Sequence, residues 1–232
     1  VEKKRLQIRL EDKEKEFKQF SYAASHDLQA PLRRIGQFLE LMNEEDNKLT
    51  EASQQHLKFV TENVTRLKST VKDLLSYNSI GSDLGKAGEV DLDEVVLGVL
   101  EVLSDQIESN DIKVNVNPLG KGIVHQSLFF TLTQNLIENA IKYAGEHITI
   151  SMQATRNDKG LLVSVSDDGV GIERKYFHSI FTPFFRGAQS QKIASTGLGL
   201  AICKKILDIH QGNIWVESEL DVGTTFHFMI PQ

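Results

Sequence analysis

The 232-residue sequence has one cysteine, four prolines and one tryptophan, and it contains no long uncharged apolar run. A single thiol, Cys203, excludes an internal disulfide, and a hydrophobic content of 40% is sufficient to bury a core without one. No stretch is typical of a signal peptide or of a membrane-spanning helix. We therefore expect a cytoplasmic location for this chain, although a longer parent protein could be anchored in a membrane.

Excess positive charge and internal repetition are also lacking. The formal net charge of −6 argues against a surface that binds polyanions along the whole chain, so nucleic acid is not an expected partner. No repeat with a solenoid or propeller period is present. The fold is therefore expected to combine non-repeating helices and strands.

Glycine and proline are scarce in residues 1–80, where only Pro31 and Gly36 occur, and this composition predicts helix. The densely charged residues 1–20 are predicted to be a coiled-coil input helix, or alternatively a solvated extension. Apolar residues recur at spacings of three and four in residues 21–82. They form two series: Leu28, Leu32, Ile35, Leu39 and Met42, then Leu57, Val60, Val64, Leu67, Val71 and Leu74.

Two such helices, joined by the polar turn at 43–48, predict an antiparallel hairpin. One hairpin cannot cover both apolar seams, so we expect two copies to pair into a four-helix bundle. The alternative is a monomeric hairpin that packs on the second domain. Glycine-rich residues 83–88 are interpreted as a linker, and residues 89–232 as the second domain.

That second domain alternates helical and β-rich patterns, which predicts a layered α+β fold. The predicted helices are 92–109, 127–144 and 198–210. The predicted strands are 112–116, a short one near 123, 148–154, 161–166, 213–218 and 224–230.

Two glycine-rich motifs carry groups that can bind a ligand. The first, Asp167-Asp168-Gly169-Val170-Gly171-Ile172, follows a strand, where glycines let the backbone approach a ligand and aspartate offers acceptors. The second, Thr196-Gly197-Leu198-Gly199-Leu200, begins a helix whose unpaired N–H groups can hold phosphate oxygens. By itself, each motif is also typical of a turn or helix cap that needs these residues for geometry alone.

One face of the helix predicted at 127–144 is polar, because Asn135, Asn139, Lys142 and Tyr143 share it. Apolar residues occupy the other face, so Asn139 is not needed for packing. Amide oxygens suit Mg²⁺ that nucleotide phosphates already bind. Taken singly, Lys142 is also typical of a solvated lysine and Tyr143 of a partly buried aromatic residue.

A further block, Phe181-Thr182-Pro183-Phe184-Phe185-Arg186, lies between the two glycine motifs. Taken in chain order, the four blocks resemble the N, G1, F and G2 boxes of the histidine-kinase ATPase domain, whose superfamily includes gyrase, Hsp90 and MutL. The N-box resemblance implies that Asn139 ligates Mg²⁺ with support from Asn135. It also implies that Lys142 contacts phosphate and that Tyr143 packs near the adenine of ATP.

The G1 resemblance makes Asp167 the acceptor for the adenine amino group. Three further residues, Gly169, Gly171 and Ile172, belong to that pocket. Arg186 ends the F-box and is a candidate contact for the γ-phosphate. The G2 box would cradle phosphates through Thr196, Gly197, Leu198, Gly199 and Leu200. The polar segment between the F and G2 boxes can act as a mobile lid. Ser195 stands where the family usually has a leading glycine, and this departure bears on the flexibility of that lid more than on nucleotide binding.

The segment Ser25-His26-Asp27-Leu28-Gln29-Ala30-Pro31-Leu32-Arg33 resembles the H-box of the dimerisation and phosphoacceptor domain, especially its phytochrome-like branch. His26 lies about 200° around the helix from the seam position Leu28, so we expect it to face solvent. The resemblance implies that His26 attacks the γ-phosphorus of ATP while Asp27 holds or deprotonates the other ring nitrogen. Pro31 is expected to kink the helix nearby.

The sequence therefore predicts the transmitter region of a sensor histidine kinase. Its fold would be an α-helical hairpin forming a dimeric four-helix bundle, followed by an α+β two-layer ATP-binding sandwich of the histidine kinase/gyrase/Hsp90 type. With ATP and Mg²⁺ it would phosphorylate itself and pass the phosphoryl group to an aspartate on a response-regulator receiver, under an upstream sensory domain. Ala30 replaces the Thr or Asn common in the family, so phosphatase activity is predicted to be weak.

Two other functions stay open at this point. An ATP-hydrolysing clamp of the gyrase/Hsp90 type is disfavoured, because Asn135 stands where those relatives carry a glutamate, and an amide cannot accept a proton near neutral pH. A catalytically inactive dimeric scaffold is disfavoured by the joint presence of His26, Asn139, Asp167 and Gly199.

Overall fold

The computed structural model describes residues 32–37, 39, 51–81, 86–143, 147–187 and 195–232. The chain divides into two compact units, Val1–Ser79 and Ile80–Gln232. His26, Asp27, Ala30 and the turn predicted at 43–48 lie outside the described residues. The predicted bounds of the input helix, hairpin, linker and second domain stay predictions.

In the first unit, residues 32–37 are helical and helix α1 runs over Glu51–Ser79. The apolar series of α1 is only partly covered within one chain. Leu57 and Val71 are buried, whereas Val60 and Leu67 are 42% and 44% exposed. The exposed part of the seam is an apolar surface that water solvates poorly.

The second unit contains seven strands and four helices of at least six residues among its described residues. The strands are β1 Gly88–Asp91, β2 Lys113–Val116, β3 Lys121–Val124, β4 Thr149–Asn157, β5 Gly160–Asp167, β6 Asn213–Glu219 and β7 Gly223–Ile230. The helices are α2 Leu92–Val102, α3 Ser104–Ser109, α4 Gln126–Tyr143 and α5 Gly199–Ile209. In the described residues, no helix is long and apolar enough to cross a membrane.

Five strands form a mixed sheet in the order β2-β4-β5-β7-β6, in which β2 and β4 are parallel and the other neighbours are antiparallel. Strands β1 and β3 form a separate antiparallel pair. The order places the end of β5 beside the start of β7, where Asp167 pairs with Thr224. This corner of the sheet carries the first glycine motif.

Residue periodicity accounts for the two layers. Alternate residues of β7 are buried, because successive strand side chains point to opposite faces. Buried residues of α4 recur with the helical period and face the sheet, where Phe129 meets Phe228 edge to face at 6.2 Å. Full burial of each such side chain contributes roughly 1.5–3 kcal/mol. The predicted α+β two-layer sandwich is confirmed.

One local prediction was wrong, and one strand was missed. The helix predicted at 92–109 is interrupted at Leu103, whose φ and ψ are −98° and 3°. The Ser104 hydroxyl donates to Glu101 O at 2.9 Å, a side-chain bond to the backbone that competes with regular helix. Strand β1, Gly88–Asp91, was not predicted, because four residues are too few to show periodicity.

His210, which caps the C-terminus of α5, makes two hydrogen bonds that require a neutral ring. Its Nε2 accepts from the His125 backbone N–H at 3.1 Å, and its Nδ1 donates to Ile206 O at 2.9 Å. Burial lowers the pKa of His210 most, the Ile206 carbonyl opposes this, and the facing His125 ring lowers the pKa further. Protonation of Nε2 would abolish the bond from His125.

We predict that the second unit loses stability as the pH falls below about 6.5, because the unfolded chain binds a proton that folded His210 resists. The stabilisation is complete above that pH and declines toward the lower folded pKa. His210→Gln keeps a side-chain acceptor but does not titrate. Denaturant unfolding of both proteins at pH 7.5 and 5.5 should show a smaller change in the variant, and equal changes would contradict the prediction.

Candidate nucleotide-binding site

The N-terminus of α5 lies against the polar face of α4. A Cβ atom on Gly199, the first residue of α5, would stand 2.8 Å from Asn135 Oδ1 and 3.9 Å from Asn139 Nδ2. A side chain at Gly199 would therefore displace the Asn135 amide from its present position. The structure thus brings together the predicted N and G2 boxes, which lie more than fifty residues apart in the chain.

The two asparagine amides are differently engaged. Asn135 Nδ2 donates to Thr131 O at 2.7 Å, and its Oδ1 faces Gly199. Asn139 Nδ2 is buried and has no hydrogen-bond partner among the described residues. Leaving a buried polar group unpaired costs roughly 1–3 kcal/mol, so the Asn139 amide is suited to a bound polar ligand.

The first turn of α5 is open to an anion. Leu198 at the N-cap provides no side-chain hydrogen bond, and the first turn contains no acidic residue. The first N–H groups of a helix have no partner within it, and the dipole is positive at this end. Thr196 Oγ1 accepts from Leu198 N–H at 3.3 Å, while Ser195 Oγ is buried without a partner among the described residues.

The F-box is tied to the G2 box through the backbone. Phe184 N–H donates to Gly197 O at 2.9 Å, and Gly197 has a φ of 71°. A Cβ on Gly197 would stand 2.7 Å from Phe185 O, so both conformation and space require glycine. Phe184 itself has a φ of 63°, which is strained for an aromatic residue. Arg186, two residues farther on, is half-buried.

Asp167 is the half-buried last residue of β5. Burial raises the pKa of Asp167 to about 6, while N–H groups of Gly169 and Thr224 that bond to the carboxylate oppose the rise. The Gly169 bond is 3.0 Å long. A desolvated carboxylate that keeps acceptor capacity can bind a donor such as an exocyclic amino group.

Residues that the sequence did not predict hold this loop in place. Asp168 Oδ1 accepts from Thr149 N–H at 2.7 Å, at the start of β4. Ser218 Oγ accepts from Ile172 N–H at 2.8 Å across 46 sequence positions. Asp168 adjoins a predicted residue and could have been identified, but no local pattern indicates Ser218.

The structure supports the roles of the remaining predicted residues less directly. Lys142 Nζ pairs with Glu138 Oε2 at 2.7 Å, so a phosphate would have to compete with this carboxylate. Tyr143 is the half-buried last residue of α4. The roles of Lys142, Tyr143 and Arg186 therefore stay predictions, as do those of His26 and Asp27.

An open cleft of about 530 Å³ lies beside the end of the G1 motif. Its lining residues are Ile172, Glu173, Arg174, Lys175, Ser218, Glu219 and Leu220. Only Ile172 is shared with the predicted site, and the cleft contains neither the asparagine amides nor the N-terminus of α5. The residues predicted to bind nucleotide, except Ile172, therefore lie outside the lining of this cleft.

Two family profiles match the chain in consecutive regions. The His Kinase A (phospho-acceptor) domain matches residues 18–83. The histidine kinase-, DNA gyrase B-, and HSP90-like ATPase family matches residues 124–232. The second match contains all the residues predicted to bind nucleotide.

Known proteins resemble the chain over nearly its whole length. Phytochrome-like protein Cph1 of Synechocystis is 34% identical over 224 residues, which are 96% of this chain and 30% of Cph1. The chain thus spans about a third of this relative. A structure of histidine kinase ThkA in complex with response regulator protein TrrA is 26% identical with a TM-score of 0.67, covering 97% of this chain and 66% of that chain.

The match to a separately solved domain is the most informative about the second unit. The catalytic domain of histidine kinase ThkA is 31% identical with a TM-score of 0.56, and the alignment covers 63% of this chain and 96% of that domain. Its agreement with the two family matches shows that this chain belongs to the sensor histidine kinase family.

Proposed function

We propose that the chain is an ATP-dependent, autophosphorylating protein histidine kinase of a two-component signalling system. It transfers the γ-phosphoryl group of ATP to His26 and then to an aspartate of a response-regulator receiver. The observation that carries the proposal is the contact of Gly199 with Asn135, which places the open N-terminus of α5 beside two neutral amides. Phosphates bind there without an opposing carboxylate in the first turn of the helix.

ATP would span from the half-buried Asp167 carboxylate, which accepts the adenine amino group, to the first turn of α5, which holds phosphate oxygens. Ser195 Oγ and Asn139 Nδ2, both buried without partners in the described part of the chain, are available to polar groups of the nucleotide. Arg186 and Lys142 would add positive charge near the phosphates. Phosphoryl transfer depends mainly on such positioning and charge stabilisation.

Mg²⁺ fits this donor set only together with the nucleotide. The described residues contain no group of three His, Cys, Asp or Glu side chains that could hold a metal ion alone. Asn139 would supply an amide oxygen, and phosphate oxygens and water would complete the octahedral coordination that Mg²⁺ prefers. When bound, the ion supplies charge neutralisation of the phosphates.

The proposed phosphoryl transfer needs no reactant other than ATP and the side chains of His26 and Asp27. A ring nitrogen of neutral His26 forms a bond to the γ-phosphorus as the bond to the bridging oxygen breaks, and ADP leaves. Asp27 accepts or stabilises the proton on the other ring nitrogen. The phosphohistidine then donates the same group to a receiver aspartate.

The partly exposed seam of α1 supports a homodimer as the active form. Val60 and Leu67 belong to the predicted seam and are exposed in a single chain, although both are apolar. A second copy would bury them in the four-helix bundle. The solved complex of a related kinase with its response regulator supports a receiver as the second partner. An upstream sensory domain would control the reaction in the parent protein.

Gyrase-like hydrolysis is the second candidate, and the geometry disfavours it. Asn135 Nδ2 donates to Thr131 O, and its oxygen faces Gly199, so this position offers no proton acceptor for water. The nearby Glu138 is bonded to Lys142 and Gln134.

Autophosphorylation is tested with γ-labelled ATP and Mg²⁺. We expect acid-labile, protein-bound label on the wild-type chain and none on His26→Ala, because only that imidazole accepts the group. His56→Ala, which alters an exposed histidine of α1, is the matched control and should retain the label. Phosphate release without bound label would favour the hydrolytic clamp, and absence of both signals would favour an inactive scaffold.

Substitution of Gly199 should separate nucleotide binding from helix stability. Alanine favours helix over glycine by about 0.5–1 kcal/mol, yet a Cβ on Gly199 would meet Asn135 Oδ1 at 2.8 Å. We expect Gly199→Ala to weaken ATP binding about tenfold or more, the equivalent of about 1.4 kcal/mol, by calorimetry.

Gly98→Ala, within α2, is the control for this experiment. A Cβ on Gly98 would be in ordinary contact with the Phe130 ring of α4 at 3.6 Å. This variant should raise the thermal midpoint slightly and leave ATP affinity unchanged. Equal ATP affinities in Gly199→Ala and the wild type would contradict the proposed site.

Weak phosphatase activity is expected from Ala30, whose methyl group cannot orient water. Ala30→Thr restores a hydroxyl and should accelerate loss of phosphate from the cognate phosphorylated receiver. The decay is measured with ADP present and with each protein at equal concentration. Rapid decay with the wild-type chain would refute the expectation.

A further inference from the structure

The G1 loop rests on the turn that joins β6 to β7. Asp221 N–H donates to Val170 O at 2.9 Å. A Cβ on Gly171 would collide with the Glu219 backbone oxygen, and a Cβ on Gly223 would collide with the Asp167 backbone oxygen. Loop and turn therefore meet backbone to backbone, and movement of one displaces the other.

The Ser218 hydroxyl joins the loop to the turn with its full hydrogen-bonding capacity. It donates to Gly223 O at 2.7 Å and accepts from Ile172 N–H at 2.8 Å. It also lies 3.0 Å from Thr224 Oγ1, which can donate to the remaining lone pair. One donor and two acceptor sites are all that a serine hydroxyl has, so every one is used.

These bonds involve residues on both sides of the Asp167 carboxylate, which is proposed to bind the adenine amino group. Ile172 ends the G1 motif that begins with Asp167, and Thr224 is the cross-strand neighbour of Asp167. The Thr224 backbone N–H also bonds to the Asp167 carboxylate. Ser218 thus bonds to Ile172, the last residue of the loop. It also contacts Thr224, whose backbone N–H orients the carboxylate of Asp167, the first residue of the loop.

We propose that Ser218 is a positioning residue for adenine recognition, which holds the G1 loop on the β6–β7 turn and so sets the place of the Asp167 carboxylate. The inference rests on the proposed nucleotide function, because it assigns Asp167 to adenine. Ser218 does not touch the nucleotide and acts only through the loop. Its loss leaves the Ile172 N–H, the Gly223 carbonyl and the Thr224 hydroxyl without this partner.

The test compares Ser218→Ala with Ser164→Ala in the whole chain. Ser164 is a buried serine of the same sheet that bonds to His227 Nδ1 at 2.8 Å and not to the loop. We expect Ser218→Ala to bind ADP with Mg²⁺ about tenfold more weakly, comparable to the loss of one hydrogen bond, and Ser164→Ala to bind like the wild type. Ser218→Thr keeps the hydroxyl and should restore most of the affinity.

A second readout needs no nucleotide. Carboxyl NMR of the free protein follows the titration of Asp167, whose pKa burial raises to about 6. In Ser218→Ala the loop lifts, water reaches the carboxylate, and the pKa should move toward the ordinary aspartate value, with no change in Ser164→Ala. A merely destabilising substitution that left the loop in place would not move this titration.

The results distinguish the positioning role of Ser218 from the proposed nucleotide binding. Unchanged ADP affinity and unchanged Asp167 titration in Ser218→Ala overturn the positioning role, as do equal losses in Ser164→Ala. If the wild type binds no ADP, the nucleotide proposal fails, and the titration alone still tests the loop. If Ser218→Ala does not fold, Ser218→Cys replaces the hydroxyl with a thiol that donates and accepts hydrogen bonds only weakly, and wild-type ADP affinity and Asp167 titration in that variant overturn the inference.

Discussion

The contact between Gly199 and the polar face of α4 is the constraint on which the rest of the site depends. A hydrogen in place of a side chain lets the first turn of α5 approach Asn135 and Asn139. The positive end of the helix dipole then lies beside neutral amides, without a carboxylate in the first turn to repel phosphate. A larger residue at Gly199 would displace the Asn135 amide from this anion site.

The second constraint is the cost of partly desolvating the half-buried Asp167 carboxylate. A carboxylate removed from water must be compensated by hydrogen bonds, and here backbone N–H groups of Gly169 and Thr224 supply them. They stay in place because the G1 loop is locked onto the β6–β7 turn through Ser218. The adenine end of the proposed site therefore depends on the far edge of the sheet, whereas the phosphate end depends on helix packing.

Patterns with a regular period were predictable. The buried stripe of α4 and the alternation along β7 follow from helix and strand geometry, and both elements lie within one or two residues of their predicted bounds. Strand β1 was missed because four residues carry no period. The break at Leu103 was missed because it results from a side-chain bond to the backbone at Ser104, which leaves the apolar pattern of the sequence unchanged.

The sequence by itself determined the residue types and their local spacing, which were enough to predict the two-layer fold and to single out Asn139, Asp167 and Gly199. Tertiary structure decided which of these groups meet and in what state. The Asn139 amide nitrogen without a partner among the described residues, the raised pKa of Asp167 and the bond from Ile172 to Ser218 all depend on residues distant in the chain. Burial and hydrogen-bond partners are properties of the packed chain, so no local pattern encodes them.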